Sequence, residues 1–60
     1  MTEIDLPKLT ALRSRLIEAQ TDLLLRAADA SGLPSSNELR KIADVESAIG
    51  AVEALLDSKK

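Results

Sequence analysis

The residues of this 60-residue chain whose types could do chemistry are few. Carboxylates recur at helical spacing, Glu18 with Asp22 and Glu46 with Glu53, and serines cluster at Ser35 and Ser36. Paired carboxylates on a helix face are the material of acid–base catalysis or of a di-metal site. Bundle di-metal sites, however, also draw on a Glu-x-x-His pair, and the chain contains no His. The same absence leaves the serines without an activating base, and a Ser–Lys pair would need a desolvated lysine that this polar setting does not supply. There is no Cys, hence no disulfide, thiolate zinc site or redox chemistry. We therefore expect no catalytic, cofactor-binding or metal-ligating residue, no cofactor and no enzyme activity. The carboxylates read as solvated helix faces, and helix capping accounts for the serines.

Composition narrows the partners as well. Without Phe, Tyr or Trp the core must be built from Leu, Ile, Val and Ala, and no platform exists for stacking single-stranded bases. The net charge is −2 with both signs interspersed, which argues against a general polyanion binder. No apolar run approaches the ~18 residues of a membrane span; Leu23-Leu24-Leu25 is bounded by Asp22 and Arg26. Met1–Asp5 is acidic and leads into no apolar signal-peptide core. The expectations are a cytoplasmic protein with no membrane partner, no small-molecule substrate and no nucleic-acid partner.

What positions these residues is organised around Ser31-Gly32-Leu33-Pro34-Ser35-Ser36-Asn37-Glu38-Leu39, where one helix stops and a second starts. Before it, Asp5 is placed to cap a helix in which Pro7 occupies the first turn, with Ile4 and Leu9 spaced for a hydrophobic staple. Leu9, Leu12, Leu16, Ala19, Leu23, Ala27 and Ala30 then recur at three- and four-residue steps, a helical period. Gly32 is expected to close a Schellman motif with Leu33 tucked onto the last turn, and Pro34 to block continuation. Ser35 and Glu38 form a capping-box pattern for the second helix. Its stripe is Leu39, Ile42, Val45, Ile49, Val52 and Leu56, and Lys59 and Lys60 fall at the negative end of its dipole. The expected fold is all-α: one antiparallel two-helix hairpin over 1–60, with helix 1 about 6–31, a turn at 32–35, and helix 2 about 36–58.

A symmetric hairpin about Leu33–Pro34 pairs residues whose numbers sum to about 67. Leu12 then lies near Leu55, and the basic start of helix 1 (Lys8, Arg13, Arg15) runs beside the acidic end of helix 2 (Glu46, Glu53, Asp57). Asp22 and Asp29 come near Arg40 and Lys41. The apolar arc of helix 1 spans roughly 160°, wider than the ~100° of an ordinary surface helix, so one neighbour cannot cover it. Within the arc, Arg13 is expected to snorkel outward, and Gln20 to lie at a seam edge or act as a buried register device. A thin strip of small residues, Ala43, Gly50 and Ala54, either is plain surface or permits close helix approach.

These features lead to a non-catalytic protein–protein interaction or regulatory protein, acting as a homodimer of hairpins in a four-helix bundle, in the manner of small antitoxins, anti-activators and adaptors. The residues expected to contact a partner are Ile17, Leu24, Leu25, Ala43, Gly50 and Ala54. In topology and length the chain also resembles Rop-type plasmid copy-number regulators, which implies a nucleic-acid-binding bundle as the alternative. The basic face that such recognition needs is interrupted here, because Lys8, Arg15 and Arg26 share their face with Asp22. A short hairpin with a Pro-containing turn is similar, too, to secretion-needle subunits, which implies a larger helical assembly. The Ser-Gln-Glu-Leu-Asp signature of sporulation-type aspartyl-phosphate phosphatases, themselves hairpins, is absent.

Overall fold

Asp5 is extended, and its carboxylate accepts a hydrogen bond from the Lys8 amide at 3.1 Å. That satisfies one of the free donors at the start of a helix and sets a negative charge on the positive end of its dipole. Helix α1 follows over Leu6–Asp29, with Pro7 in its first turn. The computed structural model describes residues 4–58; the acidic leader residues Met1–Glu3 and the terminal Lys59 and Lys60 lie outside them.

The end of α1 differs from the expected Schellman motif. Ala30 turns extended (ψ 148°) while its amide still donates to the Arg26 carbonyl at 3.3 Å, so the helix stops at Asp29. Gly32 does adopt the left-handed region (φ +100°), but it stands two residues beyond the cap. Its conformation therefore reverses the loop instead of closing the helix, and Leu33 is left 95% exposed. A Leu that far out has no contact with the last turn to lose.

Helix α2, Ser36–Asp57, starts on a complete capping box. The Glu38 amide donates to the Ser35 hydroxyl at 3.2 Å, and the Ser35 amide donates to the Glu38 carboxylate at 3.0 Å. The turn is too short for anything but antiparallel neighbours, and α1 and α2 pack side by side along one seam. The product is an all-α hairpin shaped as a rod, 46 × 16 × 16 Å. Its radius of gyration is 14.0 Å, against about 10 Å for a compact domain of this length.

Candidate interaction surface

An ion pair crosses the seam and marks the register of the hairpin. Arg13 donates from Nε to Glu53 Oε2 at 2.9 Å, and its terminal nitrogen lies 2.8 Å from the same oxygen. This pair falls within one residue of the symmetric register. Leu12 and Leu55 accordingly border one shallow groove, which Ile4 and Leu9 extend at the open end of the rod, as the staple spacing requires. Arg13 does not simply snorkel to solvent; it crosses to the other helix. Gln20 is half-buried and makes no side-chain hydrogen bond among the described residues, so the register device is the ion pair instead.

The expected pairs of Asp22 and Asp29 with Arg40 and Lys41 do not form among the described residues: neither acid lies within 4 Å of either base. In the register whose numbers sum to about 67, Asp22 is level with Val45 and Asp29 with Glu38, and at 100° per residue Asp22, Asp29 and Arg40 turn to the outer surfaces of the rod. Lys41 acts on Glu38 in its own helix. The two Ser35 hydrogen bonds, backbone before side chain, and then the Lys41 charge hold the Glu38 carboxyl below its ordinary value.

Packing along the seam is thin. Only Ile49 and Val52 are buried among the described residues, and α1 buries none. Leu9, Leu12, Leu16, Ile17, Leu23 and Ala27 on α1 are each half-covered. Viewed down the seam, the hairpin has two flanks. One carries Leu12, Ala19, Ala48 and Leu55 among the cations Lys8, Arg15, Arg26 and Lys41, with Asp22 beside them at 100° per residue. The other carries Ile17, Thr21 and Leu24 from α1 opposite Leu39, Ala43 and Gly50 from α2. Arg13, Glu53, Gly50 and Ala54 line its groove toward the open end.

Of the residues expected to contact a partner, Ile17 and Leu24 on α1 thus share a flank with Ala43, Gly50 and Ala54 on α2. Ile17 is half-covered, Leu24 is 49% exposed, and the three small residues are exposed. Leu25, 61% exposed, stands apart on the outer surface of α1. Leu39 belongs with the first group at 50% exposure. Sequence reasoning missed it, because it read as part of the core stripe; its phase, about 80° from Ile49 at 100° per residue, was the available signal.

Gly50 has an unusual standing here. A Cβ added to it would meet nothing within 4 Å, so the seam does not need a glycine. Thr21, on the same flank, donates its hydroxyl to the Ile17 carbonyl at 2.9 Å, which satisfies that group within the helix. Compared with family models, curated proteins and solved structures, the chain matches none. No group of three or more metal-ligating side chains occurs among the described residues, and none of their helices is long and apolar enough to cross a membrane.

Proposed function

We propose that this chain is a non-catalytic protein–protein interaction module that acts in the cytoplasm as a homodimer of hairpins. One observation carries the reading: a hairpin of Leu, Ile, Val and Ala that buries, among the described residues, only Ile49 and Val52 leaves most of its apolar side chains incompletely covered. Covering them needs a further helix pair, and a second copy supplies one of the right length. The missing His, Cys and aromatic residues support a role exerted through surfaces and not through chemistry.

Sedimentation equilibrium over roughly 5–200 μM, a range that brackets micromolar affinity, tests this. The expected result is a discrete dimer with helical circular dichroism. A well-folded monomer across the range overturns the reading, and open-ended growth with concentration replaces it with a subunit of a larger assembly.

A further inference from the structure

Resting on that homodimer, we infer that the second copy packs on the flank of Ile17, Leu24, Leu39 and Gly50, turned end for end about the middle of the rod. Area, exposure and charge each point to this arrangement. The chain exposes 4860 Å², about 1,000 Å² more than a compact folded chain of its mass. A standard interface removes about 800 Å² per partner, so covering one long flank of each copy accounts for most of the excess.

The two flanks differ in what they offer a copy of themselves. A two-fold interface sets a patch against itself, and the Leu12–Leu55 flank would bring Lys8, Arg15, Arg26 and Lys41 of both copies together. At 100° per residue the Leu24 flank carries no charge on α1 from Ser14 to Ser31, and its carboxylates Glu46, Glu53 and Asp57 lie on α2 beside Arg13. Its leucines are 49% and 50% exposed, against 43% for Leu55. In the register marked by Arg13 and Glu53, Ile17 and Gly50 are level with each other near mid-rod. A two-fold axis there sets Glu46 opposite Arg13 of the second copy. It also brings Leu24 and Leu39 toward the half of the second copy that holds Leu6, itself 39% exposed. Gly50 then lies where the two hairpins come closest, which gives a use to a glycine the hairpin's own packing does not need.

Gly50→Lys separates the dimer from the fold. There is open space at the position, and Glu46 four residues earlier and Glu53 three residues later favour a lysine in the helix. Helicity is expected to hold, while the dimer dissociation constant rises about 100-fold or more as a charge enters a desolvated contact. Leu55→Lys, on the opposite flank, is expected to change it by less than about threefold, as a rim substitution does. A dimer that tolerates Gly50→Lys, or that yields only to Leu55→Lys, overturns the flank and leaves the homodimer standing. A monomeric wild-type chain overturns both.

Should a variant unfold, isotope-filtered NMR on a mixed-label sample of the wild-type chain decides instead. Intermolecular contacts are expected at the Ile17, Leu24 and Leu39 methyls. Contacts at the Leu12 and Leu55 methyls overturn the assignment.

Discussion

At the scale of single residues, the two glycines are opposite cases. Gly32 holds φ +100° with nothing within 4 Å of a built Cβ, so a side chain there has room but no comfortable backbone. Replacing it with Ala is expected to destabilise the hairpin by about 1–2 kcal/mol, the cost of a left-handed L-residue, read as a lower midpoint in urea. An unchanged midpoint would mean that the loop reverses without that conformation. Gly50 has ordinary helical geometry and equal room, so within one hairpin nothing penalises a larger residue. The sequence marks both positions as glycine, but it cannot separate a backbone requirement from a spatial one. Leu33 shows the same limit: the Gly-Leu-Pro order suggested a tucked leucine, yet the extended Ala30 ends the helix too early for Leu33 to reach back.

At the scale of elements, caps and register were legible because they depend on short, local patterns. The Ser35–Glu38 box is one. Its folded-state carboxyl titrates below the ordinary value of 4.5, so it contributes stability that is present above that value and is lost as pH falls through the lower folded value. Helix content of α2 is therefore expected to decline at pH below about 4.5, whereas Glu38→Gln, which keeps an acceptor at the same position, should remove that carboxyl's share of the decline. Circular dichroism between pH 2 and 6, a range centred on about the ordinary carboxylate value, measures it; identical profiles would dissociate the box from the titration.

The Arg13–Glu53 pair belongs to the same scale. Both side chains are 40% or more exposed, so a double-mutant cycle with Ala is expected to give a coupling of about 0.2–1 kcal/mol that shrinks in high salt. Its chief effect is on register. What register alone could not supply was the angle between helices: Asp22 and Asp29 lie in the same half of the rod as Arg40 and Lys41 but turn away from them. The common flank of Ile17, Leu24, Ala43, Gly50 and Ala54 becomes visible only once the seam is set.

At the scale of the whole molecule, the proposed homodimer would make folding and association largely the same event. A rod in which only Ile49 and Val52 are buried among the described residues hides about half of the surface of its extended chain, against ~60% for an ordinary domain of this size. If the missing burial comes from a second copy, stability must follow concentration. A tenfold dilution removes about 1.4 kcal/mol from a dimer, and with the unfolding entropy of two such chains the melting temperature should fall by about 5 °C. A monomeric hairpin would melt at one temperature throughout.

Leu25 sharpens the measurement. It stands on the outer surface of α1, 61% exposed, away from both the seam and the flank assigned to the second copy. Leu25→Glu is accordingly expected to move the melting temperature by no more than about 4 °C and to leave its dependence on concentration unchanged, as surface changes of this kind stay within ±0.5 kcal/mol. If instead it abolishes the concentration dependence, the copies meet through the outer surface of α1. The flank would then be open to a different protein.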